Sequence, residues 1–272
     1  MGTSGQSLYQ KRVLVVGAAG AIGQGVSQAL RERGAQVKGL DRQQGPDIVQ
    51  ADITDSQAVQ DAVRQITETL DGLDILINAA GVGLPQDAGA PPDDSVTKTL
   101  NINLLGPWRV TAYALPALLV SHGRIINIAS GLAFANVPFA AAYSASKRAL
   151  AAWSDVLRLE YGSQVSITTV YPGYVDTPIH VPVEAAGLSL RGLVREEPLA
   201  TVVSTVVRAC TGKPRRDLAT TRQGSIEIGL ARHFPALVDR IILARTLRLG
   251  QTRRYDNAPV ALGMLKRMGV KR

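Results

Sequence analysis

Apolar runs and helical stripes take turns along this chain. Val13-Leu14-Val15-Val16 is unbroken apolar sequence ending at once in glycines, the pattern of a strand buried on both faces. Residues 21–33 then place Ile22, Val26, Ala29 and Leu30 at helical spacing, with a stop near Gly34. Gln36–Leu40 predicts a second short strand, and Ile48-Val49-Gln50-Ala51 another. Ser56 reads as the N-cap of a helix to about Leu70, with Val59, Val63, Ile66 and Leu70 on one face. Strands follow at Asp74–Asn78, Arg124–Ala129 and Val165–Tyr171, separated by helices at roughly 103–121 and 141–162. Repeated strand–helix units with nearly all-apolar strands predict an α/β fold. The expected form is a doubly wound parallel sheet with helices on both faces, in a single domain.

The 272 residues are 46% hydrophobic and 19% charged, which excludes intrinsic disorder and is ample for a buried core. The net charge of +8 is unevenly placed. Residues 1–190 hold 13 Lys+Arg against 16 Asp+Glu, a net of −3, whereas residues 191–272 hold 17 against 6, a net of +11. Basicity confined to the last segment disfavours a nucleic-acid surface running through the fold, and no nucleic-acid partner is expected. The single Cys210 excludes an internal disulfide and suits a reducing compartment. It falls in the apolar run Leu199–Cys210, where it is expected to pack as a small hydrophobe. Residues 1–10 read as a polar N-terminal tail without the basic-then-apolar order of a secretory signal. The longest uncharged stretch, Ile125–Ser146, contains Asn127, Ser130, Asn136, Pro138 and Tyr143, all costly in hydrocarbon. No membrane span is expected, and a cytoplasmic location is the default.

Strand one ends in Gly17-Ala18-Ala19-Gly20-Ala21-Ile22-Gly23, which opens a helix. Glycines here allow a tight turn, close approach of backbone N–H groups to a pyrophosphate, and close helix–strand packing. The turn alone fits a small-residue strand–helix corner equally well, and the absence of Gly-Lys-Ser/Thr argues against a triphosphate loop. Asp41 ends the next strand, 24 residues after Gly17. There an acid can accept hydrogen bonds from the adenosine ribose hydroxyls and repel a 2′-phosphate. That favours NAD, while the adjacent Arg42 suits a 2′-phosphate and keeps NADP open. Asp52 offers a carboxylate to an adenine amino group, or is simply a strand-end cap.

Tyr143-Ser144-Ala145-Ser146-Lys147 puts a phenol and an ammonium at i and i+4 on one helix face. A phenol titrates near 10, too high for ready proton exchange at neutral pH, and a nearby cation lowers that value. Singly, such a pair is an ordinary helix face; its neighbours change the reading. Ser130 lies 13 residues before Tyr143 at a strand end, and Asn103 is placed at the start of the preceding helix. Asn78-Ala79-Ala80-Gly81 closes the fourth strand, and Pro172-Gly173-Tyr174-Val175-Asp176-Thr177 closes the strand after the Tyr/Lys helix. All of these lie at carboxyl ends of strands or beside helix starts, where open α/β sheets bind ligands.

Over residues 11–178 the sequence strongly resembles the short-chain dehydrogenase/reductase family, whose fold is Rossmann-like. The resemblance implies that Tyr143 is the catalytic acid/base, and that Lys147 lowers its pKa and holds the nicotinamide ribose. It implies that Ser130 positions the substrate oxygen and that Asn103 holds a water linking Lys147 to solvent. The implied cofactor site comprises Gly17, Ala19, Gly20, Ala21, Ile22, Gly23, Asp41, Arg42, Asp52 and Ile53 on its adenosine and pyrophosphate side. Asn78, Ala79, Ala80 and Gly81 line the adenosine–ribose side, and Pro172, Val175 and Thr177 the nicotinamide end, with Tyr143 and Lys147. Val16 and Ala21 depart from the Thr-Gly-x-x-x-Gly-x-Gly turn of the shorter branch; Gly17, Gly20 and Gly23 instead fit the Gly-x-x-Gly-x-x-Gly of the longer one. Ala79 replaces the usual second Asn of its turn. Neither change removes a catalytic group. The expected activity is NAD(P)-dependent interconversion of a small-molecule alcohol and ketone, in a homodimer or homotetramer. A 3-oxoacyl thioester ketoreductase, or a cofactor-binding regulator with idle chemistry, is the alternative.

His122, His180 and His233 are scattered without ligand partners, so no metal is expected, and no Gly-x-Ser-x-Gly surrounds Ser130. Residues 179–224 read as an apolar substrate loop or lid and the last strand region. Ile179, Val181, Val183, Leu188, Leu190, Leu193 and Val194 either admit an apolar substrate or bury a lid helix. Residues 225–249 predict one helix with Leu230, Phe234, Leu237, Val238, Ile241 and Ile242 on a stripe, beside Arg232, Arg240, Arg245 and Arg248. In this basic extension, residues 225–272, three roles compete: docking on the core or a subunit, a peripheral membrane contact, or a lid. The tail from Arg253 to Arg272 is expected to be solvated.

Overall fold

The apolar runs become β1 (Arg12–Val16), β2 (Gln36–Asp41), β3 (Ile48–Gln50), β4 (Ile75–Asn78), β5 (Arg124–Ile128), β6 (Ser166–Tyr171) and β7 (Asp217–Ala219). In the computed structural model, which describes residues 7–252 and 254–269, they form one parallel sheet in the order β3-β2-β1-β4-β5-β6-β7. Val16 pairs with Leu40 on one side and Asn78 on the other, so the turn after β1 sits at the point where strand order reverses. That reversal opens a crevice beyond the strand ends.

The helices are α1 (Ala21–Arg31), α2 (Ser56–Thr69), α3 (Asp94–Leu100), α4 (Gly106–Val120), α5 (Ala141–Tyr161), α6 (Val181–Ala185), α7 (Leu199–Thr211), α8 (Arg222–His233), α9 (Pro235–Gln251) and α10 (Pro259–Arg267). Alternate strand residues point to opposite faces. Val13, Val15, Ile75 and Ile77 pack with Val26 and Leu30 of α1 and Val202 and Val206 of α7. Leu14, Val16, Leu76 and Ile125 pack with Val63, Val110, Leu118 and Leu150 of α2, α4 and α5. Both faces are covered, which is why these strands carry no polar alternation. Cys210 is buried in α7 and faces the first of these cores.

Five expectations need correction. Asp55, not Ser56, caps α2: its carboxylate accepts from the N–H groups of Gln57 and Ala58, while the Ser56 hydroxyl meets that of Tyr113 at 2.9 Å. Asn103 does not start a helix. It lies in a wide π-turn, Asn101–Leu105, between α3 and α4, in chain that is helical from Asp94 to Val120. The single helix over 225–249 is two helices. Pro235 pushes the preceding Phe234 out of the helical region (φ −129°, ψ 53°) and starts α9 afresh. Finally, the tail beyond Arg253 is not wholly solvated: Tyr255, Ala258, Ala261 and Leu265 are buried against Leu188. At the other end, Leu8 is likewise buried in the core rather than free in a tail. Met1–Gln6, Arg253 and Val270–Arg272, which belong to the two expected tails, lie outside the described residues. No helix among the described residues is long and apolar enough to cross a membrane.

Candidate active site

The turn after β1 is built to let a ligand approach backbone. Gly17 has φ +78°, and a Cβ there would lie 2.6 Å from the Ala80 nitrogen; a Cβ at Gly23 would lie 2.1 Å from the Gly17 carbonyl oxygen. Side chains are excluded by sterics at both positions. Gly20 is the N-cap of α1 and makes no side-chain capping bond, which leaves first-turn N–H groups available to a ligand. Asp41 closes β2 over this turn, its carboxylate accepting from the Ala19 N–H and the Gln43 N–H at 3.0 Å each. Asp52 accepts from both the N–H and the hydroxyl of Thr54 at 2.8 Å, and these bonds hold its carboxyl below the usual range.

Gly17, Ala19, Gly20, Ala21, Ile22, Gly23, Asp41, Arg42, Asp52, Ile53, Ala79, Ala80, Gly81 and Thr177 line one continuous cleft. Asn78 does not. Its side chain is buried beneath the sheet, donating to Asn127 Oδ1 at 2.8 Å and to Thr111 Oγ1 at 3.2 Å. Pro172 and Val175 line the adjoining cavity instead, and Ile22, Ala79, Gly81 and Thr177 border both spaces. The cleft has the features a dinucleotide requires: uncapped helix N–H groups for a pyrophosphate and an acid at the ribose end.

Ser130, Tyr143 and Lys147 converge where cleft and cavity meet. Ser130 follows β5 and accepts from the Leu132 N–H, which fixes its side chain. Its hydroxyl faces the Tyr143 phenol closely enough to favour the phenol's ionised form. Lys147, one turn along α5, donates to the Ile128 carbonyl at the end of β5 (2.9 Å), with its ammonium 5.9 Å from the Tyr143 ring centre. Asn103 is fully buried: its amide accepts from the Val82 N–H at 2.8 Å and donates to the Val82 carbonyl and the Ser146 hydroxyl at 3.0 Å each. The π-turn swings this amide inward. A Cβ on Gly81 would touch both Lys147 Nζ (3.4 Å) and Asn103 Oδ1 (3.5 Å), so one glycine separates the two groups.

Electrostatics depart from the sequence expectation at the phenol. Burial pushes Tyr143 above its ordinary value, and the Ser130 hydroxyl opposes this without overcoming it. Lys147 is itself lowered to about 8 by burial. Its ammonium is committed to the Ile128 carbonyl, so desolvation dominates at both groups.

The cavity beyond them is mostly apolar. Ile179, Val183, Leu188, Leu190, Leu193 and Val194 of the expected lid do line it, whereas Val181 is exposed. Phe139, His180 and Tyr255 are among the lining residues that the sequence does not point to. His180 packs on Tyr174 with ring centres 4.5 Å apart, and burial lowers its pKa. Its place just after the Thr177 turn was the available signal. Tyr255 carries none, because only the return of the C-terminal segment brings it here. Among the described residues no group of His, Cys, Asp and Glu gathers as metal ligands.

The sequence profile of the family described as short chain dehydrogenase matches residues 11–186. The chain is 33% identical over 183 residues to a 3-amino-tetrahydro-pyrrolizinone reductase of Xenorhabdus hominickii, covering 63% of this chain and 64% of that protein. It is 28% identical over 255 residues to the ketoacyl reductase HetN of Nostoc, covering 86% and 89%. Among solved structures, a short chain dehydrogenase from Burkholderia cenocepacia in complex with NADP superposes with a TM-score of 0.74 at 27% identity, covering 87% of this chain and 99% of that one.

Proposed function

The chain belongs to the short-chain dehydrogenase family, and on that premise we propose that it is an NAD(P)-dependent oxidoreductase interconverting an apolar alcohol and ketone. The observation that carries this reading is the convergence of Ser130, Tyr143 and Lys147 where the glycine-lined cleft meets an apolar cavity. The nicotinamide cofactor supplies or accepts the hydride when bound. The chain's own part is binding, orientation and proton handling. Gly17, Gly20 and the first turn of α1 hold the pyrophosphate, and Asp41 takes the adenosine ribose. Lys147 holds the nicotinamide ribose, while Val175 and Thr177 border the nicotinamide end.

Ser130 and Tyr143 form a donor pair for the substrate oxygen and stabilise the negative charge that develops there. Burial keeps the Tyr143 phenol protonated, which is the form that donates to a carbonyl oxygen during reduction. Asn103 fixes the Val82 segment beside Lys147 and orders the route by which that proton is replaced.

A second reading, reduction of a 3-oxoacyl thioester, draws support from the likeness to HetN and uses the same four groups. Side-by-side titration of NAD, NADH, NADP and NADPH, followed by a panel of apolar ketones, 3-oxoacyl thioesters and sugars, separates the readings. Turnover of apolar ketones above thioesters is expected; preference for sugars or other polyols would overturn the apolar-substrate reading.

A further inference from the structure

The pair α8–α9 leaves a surface that the site does not use. Ile226 and Leu230 share one face of α8, Leu237 and Ile241 share one face of α9, and Phe234 lies at the break between them; each is exposed, Ile226 at 62% and Phe234 at 59%. The opposite faces are accounted for: Ala231, Ile242 and Thr246 are buried, and Ile228 lines the substrate cavity. The outward stripe is therefore surplus to the packing of these helices. Helical spacing puts Arg222 beside Ile226 and Arg240 beside Leu237, and Arg248 follows Ile241 two turns further along α9. These three arginines are exposed and make no ion pair among the described residues. Arg232 differs: it turns inward onto the Phe134 ring, 4.2 Å from its centre, and pairs with Asp217.

We propose that the outward face of α8–α9 is a docking surface for an anionic lipid bilayer, lying in the plane of the interface. Exposed apolar side chains flanked by unpaired arginines are what an interfacial helix needs: the apolar groups enter the acyl boundary while the guanidinium groups meet lipid phosphates. Charge complementarity selects this occupant over a second copy of the chain. A two-fold pairing of this face would bring two sets of exposed arginines together, in a segment already carrying +11. The surface lies on the reverse of the helix that walls the cavity with Gly224, Glu227 and Ile228. It makes no demand on which substrate the cavity takes.

The test is flotation of the full chain with phosphatidylcholine vesicles, with and without phosphatidylglycerol, at low and high salt. Binding to anionic vesicles about tenfold above neutral ones, weakened by salt, is expected. The double variant Leu237→Asp with Ile241→Asp should abolish binding, and Arg240→Glu with Arg248→Glu should reduce it about tenfold, both keeping wild-type circular dichroism and thermal midpoint. Because one variant alters apolar contact and the other charge, a folding defect in either leaves the other decisive. Wild-type protein that ignores anionic vesicles, or variants that bind as well as wild type, would overturn the proposal. So would an apolar-face variant whose only effect is loss of a dimer in sedimentation, which would assign the face to a second copy.

Discussion

The Lys147 ammonium donates to the Ile128 carbonyl oxygen at 2.9 Å, so the cation of the site is fastened to the end of β5 and not to the phenol one turn away. This ties the charge to the sheet edge, with Ser130 two residues further along the same segment. The cost is desolvation, which brings Lys147 down to about 8.

A pH profile follows from that value. The ammonium is present below about pH 8 and lost above it, so kcat/KM for ketone reduction should be level near neutrality and fall above about pH 8. Tyr143, pushed upward, stays protonated across this range and does not set the limb. In Lys147→Arg the side chain keeps its charge, and whatever activity remains should show no bend there. A wild-type profile level to about pH 10 would contradict the assignment of the limb to Lys147.

Gly17→Ala should damage both fold and cofactor site. The new Cβ meets the Ala80 backbone at 2.6 Å in a backbone conformation of φ +78°. Strain and the forced shift together should cost about 2–4 kcal/mol in chemical denaturation. Cofactor affinity, read by fluorescence titration, should fall as the turn moves. Unchanged stability would mean that the two loops are further apart than described.

Asp41→Ser should move cofactor preference toward NADP. Removing the carboxylate removes the charge that opposes a 2′-phosphate and leaves Arg42 beside it. The ratio of kcat/KM for NADPH over NADH is expected to rise about tenfold or more. Wild-type protein already favouring NADPH, with no change in the variant, would show that Asp41 does not face the ribose.

Tyr255→Ala should widen the substrate cavity, because this ring is buried against the lid and lies edge-on to Phe139, 6.5 Å between centres. KM for a bulky ketone should fall relative to a small one, with kcat for the small ketone little changed. An unaltered ratio would remove Tyr255 from the substrate wall.

The legibility of this chain follows the range of its interactions. Strands such as Val13–Val16 and Ile75–Asn78 announced themselves because burial on both faces leaves an all-apolar run. The Tyr143–Lys147 pair was readable from helical spacing, and Ser130 from its place at a strand end. Asn103 falls in a π-turn rather than at the helix start that the sequence predicts, since a π-turn leaves no mark in hydrophobic periodicity and α3 buries only Thr99. The phenol's upward shift was also out of reach: sequence shows the neighbouring cation but not the enclosure that outweighs it. Tyr255 and Leu265 looked like tail, because their partners Leu188 and Phe139 lie far away in sequence.

Single-turnover reduction of an apolar ketone by Tyr143→Phe tests whether Tyr143 exchanges the proton with the substrate oxygen. Phenylalanine keeps the ring and its packing and removes only the hydroxyl that meets Ser130. The rate is expected to fall about 100- to 10,000-fold with cofactor affinity unchanged. A variant that binds cofactor normally and turns over at near wild-type rate would contradict that exchange.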